Sequence, residues 1–208
     1  MDLSAILEQL CYDRPVFANE ADFQHGLAWQ IQLTHPDAKI RFEVRPPGTR
    51  MYLDLVVTHG GWRTAIELKY LKRRLDVEVG GEFFSLSDDS AQDIGRYDVL
   101  KDVQRLEKVV FDGFVDEGFA ICLTNDFNYW NPPMREKPTI FEAFRLTEGR
   151  ILVGELGWGT GASPGSIGSR TEPIRLHGEY TVRWRPYSKM STERNGEFRY
   201  LCFEMKHT

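Results

Sequence analysis

Cysteine is scarce in this sequence, and the three cysteines that it has, Cys11, Cys122 and Cys202, stand far apart among apolar residues. Three is an odd number and no Cys-x-x-Cys pair occurs, so the pattern indicates neither a disulfide framework nor a zinc site. Such scarcity is typical of proteins in reducing compartments, and we therefore expect a cytoplasmic protein.

Long apolar runs and targeting signals are also missing. No stretch reaches the roughly 18 consecutive apolar residues of a membrane span, and segment 1–15 lacks the basic region and the small-residue cleavage site of a secretory signal. We therefore expect no membrane partner. Apolar residues still make up 41% of the 208 residues, which is enough for the core of a single globular domain and excludes a disordered chain.

Positive charge is in short supply as well. The net charge of -5 excludes a uniformly basic nucleic-acid binder, although it leaves room for a local basic face. The charge is uneven, because segment 170–208 has eight Lys or Arg against five Asp or Glu, a net of +3, which leaves -8 for segment 1–169. The C-terminal segment is therefore the more basic part of the chain.

Helical patterns come early in the chain and strand patterns follow. Leu3, Ile6, Leu7 and Leu10 form an apolar stripe at helical spacing. A second helix is predicted to begin after the N-cap residue Asn19. The later elements are predicted as strands at 40–44, 50–59 and 62–71, a long helix at about 90–111, a buried strand at 118–125, and further strands at 151–156, 179–187 and 197–205.

Two carboxylates and a lysine fall within one predicted hairpin. The dipeptide Gly60-Gly61 between two strand-like runs is a strong hairpin signal, and as the loop it would set Asp54 directly opposite Glu67. Lys69 lies two residues beyond Glu67 and would share its face of the sheet. Facing carboxylates about 5 Å apart repel each other, and Mg²⁺ or Mn²⁺ between them would remove the repulsion. Lys69 could orient or deprotonate a metal-bound water, as phosphodiester hydrolysis requires.

Asp54, followed after twelve residues by Glu67-Leu68-Lys69, resembles the core motif of the PD-(D/E)XK nuclease superfamily. The resemblance implies an α/β protein with a restriction-endonuclease-like αβββαβ core over residues 19–126, in which a mixed central sheet is flanked by helices. Residues 127–208 would form a β-rich extension with a flexible Gly/Ser loop at 157–169. The sequence departs from the family pattern in having Leu53 rather than proline before Asp54.

The resemblance also implies a role for each residue of the motif. Asp54 and Glu67 would bind the metal, and the Leu68 carbonyl would be a further ligand. Lys69 would position the attacking water. Glu20, on the second predicted helix, would hold a second metal or a metal-bound water.

Three polar residues are candidates to support this site. Gln24 follows Glu20 by one helical turn and lies on the same helix face. Gln92 and Asp93 begin the long helix and resemble polar residues that some members of the superfamily place beside the site. The residues expected to contact nucleic acid are Lys72, Arg73, Arg183 and Arg185.

The expected function is that of a divalent-metal-dependent nuclease that hydrolyses phosphodiester bonds, in DNA and internally rather than from the ends, in defence or repair. The acidic composition implies weak DNA binding by the chain alone, so a homodimer or a partner protein would strengthen it. The alternative is a catalytically silent nucleic-acid-binding or protein-interaction module on the same fold.

Each of these residues also has a plain structural interpretation. Asp54, Glu67 and Lys69 could form cross-strand ion pairs on a solvated sheet face, and Glu20 could be a favourable charge in the first helical turn. Lys72 and Arg73 could belong to a solvated turn. The mixed charges of the long helix favour an exposed face with i,i+4 pairs. Arg183 and Arg185 could lie, with Thr181 and Tyr187, on the wet face of one strand.

Overall fold

The computed structural model describes residues 1–89, 91–133 and 137–206, with Pro164 and Ser166 described by their backbone alone. Ser90, at the predicted start of the long helix, lies outside the described residues, as do 134–136 and 207–208 of the predicted extension. The elements in chain order are α1 (Leu3–Asp13), α2 (Glu20–Thr34), β1 (Lys39–Val44), β2 (Leu53–His59), β3 (Trp62–Leu71), β4 (Leu75–Val79), β5 (Glu82–Leu86), α3 (Gln92–Phe111), β6 (Glu117–Thr124), a 3-10 turn (Glu142–Phe144), β7 (Ile151–Leu156), α4 (Pro164–Ile167), β8 (Ile174–Thr181), β9 (Trp184–Lys189) and β10 (Glu197–Lys206).

The first two helices form as the sequence predicts. All four residues of the apolar stripe in α1 are buried. Asn19 is the N-cap of α2, and its side chain accepts a hydrogen bond of 2.9 Å from the backbone N–H of Asp22. This bond satisfies a donor that the helix itself leaves free and fixes where α2 begins, which places Glu20 in its first turn.

The central sheet has six strands in the order β1-β2-β3-β6-β10-β9. Only the β3–β6 pair is parallel, while the other neighbouring strands of this sheet run antiparallel. A parallel pair needs a long crossover connection, and α3 lies within it. The prediction of an α/β fold with a mixed central sheet is therefore confirmed.

Helices cover both faces of the sheet. Leu55 and Ile66 pack in one cluster with buried residues of α1 and α2. Val56 and Ala65 pack in another with α3. Side chains of a strand alternate between the two faces, and this alternation directs Val56 of β2 and Ala65 of β3 toward α3, and their chain neighbours Leu55 and Ile66 toward α1 and α2.

The hairpin between β2 and β3 forms at Gly60-Gly61, as predicted. Both glycines have positive φ, 58° and 81°, as a two-residue loop with a primed turn requires. Leu55 pairs with Ile66 and His59 with Trp62, so the predicted register is confirmed. A second hairpin, β4–β5, was not predicted, although Gly80-Gly81 repeats the same signal with φ of 58° and 84°.

The C-terminal third is more closely joined to the core than the sequence suggests. β10 pairs with β6 from Arg199 to Lys206, so β9 and β10 complete the central sheet rather than form an appendage. The predicted strand 179–187 is wrong as one element, because β8 pairs with β7 in a separate sheet and Arg183 lies in the link to β9. Its predicted common face is also wrong. Arg185 is exposed while Tyr187 is buried, since a register shift opposite Phe198 and Arg199 interrupts the alternation.

No helix among the described residues is both long and apolar enough to cross a membrane. The three cysteines are free thiols. Segment 157–169, predicted to be a flexible loop, contains the four-residue helix α4.

Candidate active site

The two carboxylates of the predicted motif meet at the end of the β2–β3 ladder. Asp54 Oδ2 accepts a hydrogen bond of 2.7 Å from the backbone N–H of Leu68, and Glu67 Oε2 lies 3.4 Å from the backbone N–H of Asp54. At this end of the hairpin, side-chain oxygens therefore accept the hydrogen bonds of backbone N–H groups, which backbone carbonyls accept further along the hairpin. The contact brings Asp54 and Glu67 together as the register predicts.

The first turn of α2, which lies on the face of the sheet opposite α3, also contacts the strands near Asp54 and Glu67. Glu20 Oε2 accepts a hydrogen bond of 2.9 Å from the backbone N–H of Tyr70. Gln24, one turn later, donates a hydrogen bond of 2.8 Å to the carbonyl of Asp54. Both residues therefore contact the strands that carry the motif.

Lys69 is held by carboxylates from two helices. Its Nζ lies 3.0 Å from Asp102 Oδ2 and 4.0 Å from Glu20 Oε1, and it donates a hydrogen bond of 3.0 Å to the Leu68 carbonyl. Burial alone would lower the pKa of Lys69, but attraction by Asp102 and Glu20 outweighs burial and raises it above its ordinary value of 10.5. Lys69 is therefore an ammonium at neutral pH.

Two residues of α3, Asp102 and Arg105, complete the cluster and were not predicted. Arg105 Nη2 lies 3.1 Å from Glu67 Oε1, and Arg105 Nη1 lies 3.1 Å from Asp102 Oδ1. Arg105 also donates a hydrogen bond to the carbonyl of Tyr52. The predicted exposed face of α3 is wrong at Asp102, which is 4% exposed. Its position three residues after Val99 and four before Leu106 marks it as part of the apolar stripe.

Burial controls the electrostatics of this cluster. Glu67 is 1% exposed, and burial, followed by repulsion from Asp102 and Asp54, raises its pKa to about 9. Burial also raises the pKa of Asp102 and of Glu20 above their ordinary values. These shifts favour the protonated form of Glu67.

Charge in the cluster does not balance when every group is ionised. Four carboxylates face the two cations Lys69 and Arg105, so two negative charges remain. Glu67 Oε1 also accepts no hydrogen bond of ordinary geometry from the described residues, although the guanidinium of Arg105 is close by. A buried acceptor without a hydrogen bond is costly and needs an explanation.

A ready-made metal cage is not part of this arrangement. Across the described ranges, no group of three or more His, Cys, Asp or Glu side chains is spaced to hold a metal ion. Backbone N–H groups bind the oxygens of Asp54 and Glu20 that point toward the strands, and Arg105 lies against Glu67. The carboxylates therefore converge with several of their oxygens already bound by protein groups.

Two predicted supporting residues lie elsewhere. Gln92 donates a hydrogen bond to Asp126, which follows the end of β6 and is buried. Asp93 Oδ1 accepts a hydrogen bond of 2.9 Å from the backbone N–H of Ile94, within the first turn of α3. Neither contact joins them to Glu67.

The four residues predicted to contact nucleic acid do not form one group, because two of them directly follow β3 and the other two lie at or beside β9. Lys72 pairs with Asp89 at 3.2 Å, and Arg73 pairs with the buried Asp126 at 3.0 Å. Arg183 and Arg185 are exposed at the far edge of the sheet, where Arg185 donates a hydrogen bond to Ser4 Oγ. β9 is three strands from β3, which is roughly 14 Å at ordinary strand spacing.

The simple ion-pair interpretation of the motif is also wrong. Glu67 is buried rather than on a solvated face, and Lys69 pairs with Asp102 and Glu20 rather than diagonally with Asp54. The first-turn position of Glu20 is real, but its carboxylate binds a backbone donor of β3.

Comparisons of the chain with protein-family models, with curated proteins and with solved structures found no match.

Proposed function

We propose that this chain is a divalent-metal-dependent nuclease of the PD-(D/E)XK type that hydrolyses phosphodiester bonds, with DNA as the expected substrate. One observation carries the proposal. Asp54, Glu67, Lys69 and Glu20 come from three separate elements and meet at one point. Glu67 contacts Asp54, the side chains of Asp54 and Lys69 both bind the backbone of Leu68, and the exposed Glu20 lies 4.0 Å from Lys69. The order α2, β1, β2, β3, α3, β6 agrees with the element order of that superfamily's core.

The chemistry of the donor set fits a hard divalent cation. Asp54, Glu67 and Glu20 offer carboxylate oxygens and Leu68 a carbonyl oxygen, which are the ligands that Mg²⁺ and Mn²⁺ prefer. With all four carboxylates ionised, the cluster would carry two uncompensated negative charges, which equal the charge of one such ion. Glu67 Oε1, which accepts no regular hydrogen bond, is a candidate ligand atom. For Glu67 to act as a ligand it must lose its proton and its contact with Arg105.

A cation bound by these residues would supply Lewis-acid chemistry, lowering the pKa of a water molecule and offsetting charge on the phosphate. Lys69 orients the nucleophile by donating a hydrogen bond, because its raised pKa makes it a poor proton acceptor. The sequence left two roles open for Lys69, orienting a water molecule or deprotonating it. Its charged state favours orientation. Gln24 fixes the backbone of Asp54 and acts as a positioning residue.

A catalytically silent module that binds nucleic acid or protein on the same fold is the second candidate. The specific observation in its favour is that Arg105 and Lys69 already pair with carboxylates of the cluster, as purely structural ion pairs would. In that case Asp102 and Arg105 would serve only to hold α3 against β3. Metal binding separates the two candidates.

The decisive assay is nicking of supercoiled plasmid with Mg²⁺ or Mn²⁺. Wild-type protein should nick, and Lys69→Ala should lose at least the roughly 100-fold that one positioned catalytic group contributes. Lys39→Ala, at an exposed position on β1, is the matched control and should cut like the wild type. Equal nicking by wild type and Lys69→Ala would reject the assignment.

Calorimetry tests the metal separately from the substrate. Titration with Mn²⁺ should give binding by the wild type and none by Asp54→Ala. No heat of binding by the wild type at any pH up to about 9, the pKa of Glu67, would favour the silent module.

A further inference from the structure

A concave surface with basic and apolar lining lies beside the carboxylate cluster. It is a cavity of about 580 Å³ between α3, the approach to β2 and β8. Arg105 lines it and also contacts Glu67 at 3.1 Å, so one side chain joins the cavity to the cluster. The cavity is lined by Met51, Lys101, Gln104, Arg105, Lys108, Phe111, Asp112 and His177.

Three cations of α3 face this cavity in a row. Lys101, Arg105 and Lys108 are spaced by four and three residues, which puts them on one helix face over about 10 Å. Phosphates of one stacked strand follow each other at about 3.4 Å along the helix axis, so four successive phosphates span about 10 Å. The row therefore matches the charge and the length of a short piece of nucleic-acid backbone.

The partners that these lysines have now are weak competitors. Lys101 donates a hydrogen bond to the neutral Gln104. Lys108 pairs with Asp112, but both side chains are largely exposed, and such pairs contribute little stability. A phosphate group can therefore replace either partner at small cost.

An aromatic side chain lies at the end of the row. Phe111, the last residue of α3, is 82% exposed although it is one of the most apolar side chains. An exposed ring beside cations is the combination on which unpaired bases stack while their phosphates are neutralised. The cavity volume lies in the range of sites that enclose small ligands. The bases of a duplex are paired and stacked on each other, so they offer no free face to Phe111.

We infer that this cavity binds a single strand of nucleic acid, with Lys101 and Lys108 on its phosphates, Phe111 under a base, and Arg105 at the phosphate nearest the carboxylates. The inference rests on the proposed function for the nature of the ligand. It assigns the substrate class as unpaired strands, such as single-stranded regions and flaps. The phosphate nearest the carboxylates would also be an alternative anion for Arg105, and its binding would release Glu67 from its contact with Arg105.

Fluorescence anisotropy without divalent metal tests the inference apart from catalysis. A labelled single-stranded oligonucleotide should bind the full chain more tightly than the duplex of the same sequence at low salt. Lys101→Gln combined with Lys108→Gln should reduce the slope of log affinity against log salt by about 1.4, since each lost contact removes about 0.7 for a single strand. Lys39→Gln combined with Lys189→Gln removes the same charge at exposed positions outside the cavity and should leave the slope unchanged.

Phe111→Ala tests the stacking contact and should weaken single-strand binding roughly 5- to 100-fold. Phe83→Ala, a 68%-exposed phenylalanine on β5, is the matched control and should have no effect. DNA and RNA versions of the oligonucleotide identify which strand is preferred, and stronger binding of either one than of duplex supports the inference. Failure of the wild type to bind, equal binding of duplex, or an unchanged slope in the Lys101/Lys108 variant would overturn it.

The two proposals fail in distinguishable ways. Binding with the expected salt slope but no nicking by the wild type would reject the nuclease and retain the cavity as a strand-binding site. Nicking that depends on Lys69, together with normal binding by the Lys101/Lys108 variant, would reject the cavity and retain the nuclease.

Discussion

Replacing Glu67 by glutamine should change how stability depends on pH. Glu67 has an ordinary pKa of 4.5 in the unfolded chain and about 9 in the folded one, so between these values the native state holds one more proton than the unfolded state. Each pH unit in this window then lowers the free energy of unfolding by about 1.4 kcal/mol through this group alone. Stabilisation by the neutral carboxyl is complete below 4.5 and is lost as the pH rises toward 9.

The amide that Glu67→Gln introduces cannot ionise and has nearly the shape of the protonated carboxyl. The wild type should therefore lose about 3 kcal/mol more than Glu67→Gln between about pH 6 and about pH 8, which is two pH units at the slope given above. The measurement is urea unfolding of both proteins at several pH values without divalent metal. Glu204→Gln, at an exposed carboxylate of β10, is the control and should follow the wild type.

The same unfolding measurements with added metal test whether Glu67 is a metal ligand. If Glu67 is a ligand, Mg²⁺ favours its ionised form and should stabilise the wild type more strongly at high pH, with little effect on Glu67→Gln. Parallel pH profiles for wild type and Glu67→Gln would refute the claim that burial keeps this carboxyl protonated.

Three further outcomes are expected. Asp102→Ala should lower the free energy of unfolding, measured in urea, by about 3 kcal/mol or more, because Lys69 and Arg105 lose a buried partner. Asp112→Ala breaks only the exposed pair with Lys108 and should cost less than about 1 kcal/mol. Similar losses in the two variants would show that burial of the Asp102 ion pairs is irrelevant. Asn19→Ala should cost about 1 kcal/mol by removing the N-cap hydrogen bond of α2, and an unchanged denaturation midpoint would contradict that role. Cys11, Cys122 and Cys202 should react slowly with a thiol reagent near neutral pH, because burial raises the pKa of each thiol; fast labelling of the native protein would contradict this.

The local parts of this protein could be predicted from its sequence. The stripe of α1, the N-cap of α2 and the Gly60-Gly61 loop are each set by residues a few positions apart, so their physics is visible in the sequence. The glycine loop fixes the register of β2 on β3, and the register in turn brings Asp54 and Glu67 into contact.

The surroundings of the Asp54–Glu67 pair depend on the tertiary structure and could not be predicted from local sequence. Asp102 and Arg105 reach Lys69 and Glu67 because α3 crosses from β3 to β6 over one face of the sheet, a relation between segments more than thirty residues apart in the chain. The split of segment 179–187 has the same origin, since pairing with β7 and with β10 competes for its two halves and overrides their continuous strand pattern. Burial follows from these long-range contacts, and burial rather than residue type sets the protonation of Glu67.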